Sequence, residues 1–143
     1  MAQPSQLALE IVTPDRAIVH EQVDEVQAPG AAGYFGVLPG HTPMLALLQV
    51  GVLWYRKGAE KTYLSVAGGV AEVTADRVIV LAQIAERAEE IDVSQAQEHR
   101  RKAEAALQAA RSGHADIDLE RARISLMKAM VRIQVASKAR LRN

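Results

Sequence analysis

Along the first part of the chain, apolar residues recur with period two. Leu7, Leu9 and Ile11 alternate with Ala8 and Glu10, and Val78 and Val80 alternate with Arg77 and Ile79. Val50, Val52 and Trp54 share one parity, and so do Leu64 and Val66. A two-residue period is the pleat of a half-buried strand. The runs are separated by Thr13-Pro14-Asp15, Pro29-Gly30, Lys57-Gly58 and Ala75-Asp76, residue types that supply turns. Short strands at this spacing predict an all-β sandwich or barrel, and the pattern alone does not choose between them.

After Ile91 the period changes. Ala96, Ala103, Leu107 and Ala110 fall at helical spacing, then Leu119, Ala122, Leu126, Ala129, Ile133 and Ala136 step by three and four along one face. Asp92, with Gln95 three residues on, is a candidate N-cap for the first helix, and Ser94 with Gln97 is the alternative. Ser112-Gly113-His114 breaks the run, and Asp116 can cap the second helix. Asp118 and Glu120 near its start and Lys138, Arg140 and Arg142 at its end suit the helix dipole. So short a break makes the helices antiparallel neighbours, a two-helix hairpin.

Composition sharpens the boundary. All five prolines lie at or before Pro43, and eight of the nine glycines precede Val70. The remainder is rich in Ala, Glu, Gln, Arg and Lys, which favour helix. Residues 1–90 and 91–143 therefore read as two domains. The 17 basic and 17 acidic side chains cancel, which argues against a generic nucleic-acid binder. No cysteine is present, so disulfides, thiolate metal sites and a cysteine nucleophile are excluded. No secretory signal is visible in Met1 to Gln6, and no apolar run is long enough to span a bilayer. Membrane association is expected only through a protein partner, with no direct bilayer insertion.

The helical seam is mostly alanine. Burying a methyl contributes on the order of 0.8 kcal/mol, against roughly 1.5–3 kcal/mol for leucine. Ordering a residue costs on the order of 1.5 kcal/mol. Such a hairpin gains little from its own burial and is expected to detach and repack.

Enzymatic chemistry finds no support. No Gly-x-x-x-x-Gly-Lys-Ser/Thr string occurs. His20, His41, His99 and His114 are scattered, with no pair at metal-ligand spacing. Ser65 and Ser125 stand in no activating motif. No catalytic residue, metal or cofactor is expected.

The most informative string is Gly33-Tyr34-Phe35-Gly36-Val37-Leu38-Pro39-Gly40-His41-Thr42-Pro43-Met44, a strand ending in a tight Pro-Gly turn. Together with Leu64-Ser65-Val66-Ala67-Gly68-Gly69-Val70-Ala71-Glu72-Val73, Val78-Ile79-Val80-Leu81-Ala82 and Lys128-Ala129-Met130-Val131-Arg132, it closely resembles the epsilon subunits of bacterial F-type ATP synthases. The resemblance runs in order over nearly the whole chain. It implies an antiparallel β-sandwich of about ten strands followed by an antiparallel helical hairpin. It implies a non-catalytic central-stalk rotor subunit, one copy per hetero-oligomeric complex, peripheral on the cytoplasmic face of the cell membrane. The implied partners are the gamma subunit, the c-ring and, when the hairpin extends to inhibit ATP hydrolysis, the alpha and beta subunits.

Carried over by position, the resemblance assigns Gly30, Ala31, Ala32, Gly33 and Tyr34 to the loop facing the c-ring. Tyr34 stands where many members have an acidic residue. His41, Thr42, Pro43 and Ala46 fall on the gamma-facing edge. Arg121, Arg123, Lys128 and Arg132 make a basic stretch that would meet an acidic segment of the beta subunits, with contacts weakened by salt. Glu86, Asp92, Lys102, Lys128 and Arg132 map onto a regulatory ATP site. Ile91-Asp92-Val93-Ser94-Gln95-Ala96 resembles its sensing motif, with Gln95 where arginine is expected. Glutamine lacks arginine's permanently charged planar fork, so ATP is not expected as a ligand.

Overall fold

The computed structural model describes residues 3–113 and 118–141, with only the backbone at 140 and 141. The chain divides into two compact units, residues 1–87 and 88–143. The first is built of eight strands: β1 (Leu7–Val12), β2 (Ala17–Val23), β3 (Glu25–Gly30), β4 (Gly33–Val37), β5 (Met44–Leu48), β6 (Gly51–Lys57), β7 (Glu60–Val73) and β8 (Arg77–Arg87). The second holds a 3-10 turn (Ala88–Glu90) and the helices α1 (Val93–Arg111) and α2 (Leu119–Leu141).

The pairings explain why eight strands make a sandwich expected to hold about ten. β7 and β8 are long and belong to both layers. The second half of β7 pairs with β5 and with the first half of β8, which lies beside β1 and so continues to β2. The first half of β7 pairs with β6 and with the end of β8, and β6 continues through β3 to β4. Each layer is thus five strands wide, with two strands shared. One pair, β1 with β8, is parallel, so the sheet is not wholly antiparallel.

The crossing point is glycine for a steric reason. Gly68 and Gly69 have φ of 73° and 120°, and a Cβ on Gly69 would collide with the Leu81 carbonyl oxygen. The chain can turn from one layer to the other here only without a side chain.

Inside lie the period-two sets of β1 (Leu7, Leu9, Ile11), β7 (Leu64, Val66) and β8 (Val78, Val80), all buried. In β6 the inward parity is Gly51, Leu53 and Tyr55, and the Val50, Val52, Trp54 set takes the outer face. The buried Tyr55 satisfies its hydroxyl by donating to Glu21 Oε2 at 2.7 Å. Desolvation first, and the hydrogen bond to Glu21 second, raise the pKa of this phenol above its usual value. Trp54 outside lies under the Lys61 ammonium, 4.2 Å from the ring centroid. Pro29 and Gly30 are the last residues of β3, and the turn falls at Ala31 and Ala32.

Asp24, between β2 and β3, ties the β6–β7 turn down. Its carboxylate accepts from the Gly58 backbone N–H at 2.6 Å and from Gln6 Nε2 at 3.3 Å. These bonds, with Arg56 at 3.7 Å, hold its pKa below the usual carboxylate range.

In the hairpin, Asp92 caps α1 by accepting from the Gln95 N–H at 3.0 Å. Asp118 fills the equivalent place on α2, accepting from the Arg121 N–H at 3.2 Å. Asp116, His114 and Arg142 lie outside the described residues, as does the Arg140 side chain. Ala96, Ala103 and Leu107 on α1 and Ala122, Ala129 and Ala136 on α2 are buried. Ala110, Leu126 and Ile133 are only half-buried, and Leu119 is exposed. Val135, off the seam, is fully buried, and α2 also packs on the 3-10 turn.

Gly69→Ala should lower sandwich stability by about 3 kcal/mol, because strain and overlap with backbone add. Gly36→Ala, with open space and ordinary φ, should leave it within about 0.5 kcal/mol. Urea unfolding of the two variants checks the contrast. For Asp24, a lowered folded pKa means stabilisation that is present above the unfolded value and lost as pH falls through the folded one. Asp24→Asn should therefore melt below the parent chain at pH 7, and the gap should close below about pH 4.

Candidate partner-binding surfaces

β5 connects two of the segments singled out by sequence. At one end, Pro39 and Gly40 turn the chain, with Gly40 at φ 88° and the His41 N–H donating to the Leu38 carbonyl at 3.2 Å. The Gly40 N–H reaches the Ala75 carbonyl at 2.7 Å, fastening this corner to the β7–β8 turn. His41 Nδ1 lies 2.6 Å from the Thr42 carbonyl oxygen. A carbonyl only accepts, so Nδ1 carries the proton. Thr42 and Pro43 are exposed and lead directly into β5.

At the other end, the Ala31 N–H donates to the Leu47 carbonyl at 2.8 Å, and the Gln49 N–H to the Pro29 carbonyl at 2.9 Å. The Gly30–Tyr34 loop is thereby fixed to β5. Gly30 packs against the Gly33 carbonyl and the Phe35 ring, where a Cβ would not fit. Tyr34 is 53% exposed, and its hydroxyl accepts from the Val52 N–H at 3.0 Å. Five residues of strand separate loop from corner, on the order of 15 Å.

The outer face beside this strand is apolar. Leu47 on β5, Val70 on β7, Leu81 on β8 and Val12 on β1 are direct cross-strand neighbours, forming one row over four strands. Leu47 is 67% and Leu81 56% exposed, and Leu45, one position further along the same face, is 72% exposed. The adjoining row continues through Glu72, Ile79, Glu10 and His20, where His20 Nε2 sits 3.6 Å from Glu10. Ala46 has the opposite parity: it pairs with the buried Ala71 and points with Met44 and Leu48 towards the core.

Sequence reading did not single out Leu47, Val70 or Leu81. The signal was present. Met44 to Leu48 and Val78 to Ala82 are apolar at both parities, the mark of strands covered on both faces.

The basic residues of α2 do not form one patch. Arg121, Lys128 and Arg132 recur by seven and four and share a face, whereas Arg123 points away. Arg123 is held in a bidentate pair by Glu120, at 2.6 and 3.1 Å. That pairing lowers the Glu120 pKa and raises that of Arg123. Arg132 donates across to α1, through Nη2 to Gln95 Oε1 at 3.0 Å, with Nη1 3.5 Å from His99 Nδ1. Of the residues mapped to an ATP site, Asp92, Lys102, Lys128 and Arg132 lie in the helical unit and Glu86 in β8. The Asp92 carboxylate is engaged in capping. Among the described residues, no helix is long and apolar enough to cross a membrane.

A strand-built unit with an exposed apolar row, followed by a helical pair with a basic face, is the equipment of a subunit that acts by docking. Residues 6–88 match the beta-sandwich domain of the ATP synthase delta/epsilon chain, and residues 89–137 match its long alpha-helix domain. The chain belongs to this ATP synthase delta/epsilon family. It is similar to the ATP synthase epsilon chain 2 of Syntrophotalea carbinolica, 48% identical over 138 residues, 96% of this chain and 97% of the relative. It is likewise similar to the epsilon chain of Nitratidesulfovibrio vulgaris strain DP4, 44% identical over 93% of this chain and 97% of the relative. Among solved structures, a chain of the Euglena gracilis mitochondrial ATP synthase OSCP/F1/c-ring assembly matches with TM-score 0.79 and 25% identity, covering 99% of this chain and 84% of that one. A chain of the Tetrahymena thermophila mitochondrial ATP synthase central stalk and c-ring shares the fold, with TM-score 0.57 at 14% identity over 96% of this chain and 98% of that one.

Proposed function

We propose that the chain is a non-catalytic central-stalk subunit of an F-type ATP synthase, coupling the gamma subunit to the c-ring. The observation that carries this reading is the exposed row Leu47–Val70–Leu81–Val12, built on the same strand that fixes the Gly30–Tyr34 loop. An exposed apolar row on a stiff sheet is a protein-binding surface. Residues 1–90 bind the rotor. The row, with Leu45 and the His41–Pro43 corner beside it, meets gamma, and the Gly30–Tyr34 loop meets the c-ring. A subunit held between them transmits torque only if it is rigid, and shared strands and glycine-tight corners make it so. The protein is peripheral, held at the membrane through the complex.

Residues 91–143 act as a conformational inhibitor of ATP hydrolysis. Two features support this. The buried interhelical seam is mostly alanine, which releases at small cost. α2 also carries apolar side chains beyond the seam: Leu119 and Met130 are exposed, and Ile124, Met127 and Val131 half-buried. A helix apolar over much of its circumference, outside its basic face, suits burial on more than one side. Extended, α2 would bring Arg121, Lys128 and Arg132 to acidic residues of the alpha and beta subunits. Arg123 contributes less, because Glu120 already neutralises it.

Leu47→Asp together with Leu81→Asp should leave the isolated fold intact, since both are exposed. Loss of two apolar anchors should weaken binding to gamma by at least about tenfold. Co-purification with gamma and the c-ring measures this, and undiminished recovery would remove the apolar row from the interface. Truncation after Glu90 should raise ATP hydrolysis by the assembled enzyme while leaving assembly unchanged. Hydrolysis and its regulation identical to the full-length enzyme would mean the hairpin is no brake.

A further inference from the structure

Arg132 reaches from α2 to α1 at the end of the hairpin opposite its connecting turn. Nη2 donates to Gln95 Oε1 at 3.0 Å, and Nη1 stands 3.5 Å from His99 Nδ1, which accepts in the Nε2–H tautomer. Gln95 and His99 are one helical turn apart on α1, so their two acceptors lie on one face. Gln95 is itself fixed, because its backbone N–H is the one the Asp92 cap holds at 3.0 Å.

We infer that Arg132, Gln95 and His99 form a latch that keeps the hairpin closed through its own side chains. Position gives the latch its leverage. The helices are joined covalently near residues 112–118, so separation begins at the far end, where Arg132 bridges. The buried side chains at this end are mostly small, Ala88, Ala96, Ala129 and Ala136, with Ile91 and Val135 the larger ones, so a polar bridge adds appreciably to what resists opening there. Glutamine at 95 suits this role: a neutral amide oxygen accepts from a guanidinium, whereas a cation at that position would repel Arg132. The latch also makes closure and docking exclusive, because a guanidinium fork held by Gln95 cannot be offered whole to a carboxylate elsewhere. The inference concerns the hairpin alone and holds whichever partner the opened α2 meets.

The chain has no cysteine, which makes a direct test available. Ala129→Cys places a single thiol in the closed seam of the full-length protein, and its labelling rate with a thiol reagent reports the open fraction at any population. Gln95→Ala should speed labelling about three- to tenfold, as expected for losing one charge-assisted, partly solvated hydrogen bond. His99→Ala should have a smaller effect. In an Arg132→Ala background, Gln95→Ala should add nothing further. Arg132→Lys should not restore slow labelling, since one ammonium cannot span both acceptors. Ala103→Cys, in the seam on α1, repeats the reading should Ala129→Cys disturb packing. Equal labelling of Gln95→Ala and its parent would overturn the latch. So would an equal acceleration in the Arg132→Ala background, because the two side chains would then act independently.

Discussion

Two strands that belong to both layers are the constraint on which the rest of the sandwich depends. β7 and β8 carry the hydrogen bonding from one sheet into the other without interruption except at the Gly68–Gly69 corner. Sheets joined only by loops can shear over a greasy interface. Sheets sharing two covalent strands cannot slide without breaking ladder bonds and the close passage of Gly69 by Leu81. The buried Leu, Ile and Val residues then fill a space whose geometry is already fixed. Rigidity of this origin is what a subunit wedged between rotating parts requires.

The helical unit is built on the opposite plan. Its buried residues are mostly alanines, with Ile91, Leu107 and Val135 the exceptions, its caps are single carboxylates and its cross-helix bridge is a side-chain hydrogen bond at the surface. Each is a small contribution that can be exchanged for another of similar size. The two units therefore differ in kind: the strands are built to hold position, and the helical pair is held by contributions small enough to exchange. β5 gathers the candidate docking features of the strand unit. One short strand carries the exposed leucines, continues from the Pro39–Gly40 corner and pins the Gly30–Tyr34 loop.

Much of this could be read from the sequence, for identifiable reasons. Leu7, Leu9, Ile11, Leu64, Val66, Val78 and Val80 announced themselves because strands with one wet face alternate. The switch to a helical period after Ile91 was as plain. β6 misled because Trp54 is more apolar than Tyr55, yet tyrosine goes inside where Glu21 accepts its hydroxyl hydrogen bond. The count of about ten strands was implied by the resemblance; the chain has eight, because β7 and β8 each run through both five-strand layers. Asp118 capped α2 where Asp116 was expected, a choice between two acids that spacing does not make. The exposed row stayed hidden because its residues are spread over four strands, and only the register aligns them. Arg132 was legible as basic, but its partner lies 37 residues away, beyond any local pattern.

The central claim is a stiff strand-built body carrying a loosely held helical pair, and native-state amide hydrogen exchange measures it directly. Amides of β7 and β8 on both sides of the glycine corner should exchange only through global unfolding of the sandwich, with a single common free energy. Those of α1 and α2 should exchange orders of magnitude faster, through opening that leaves the sandwich folded. Separate opening energies for the two halves of β7, or helices protected as strongly as the strands, would contradict the account.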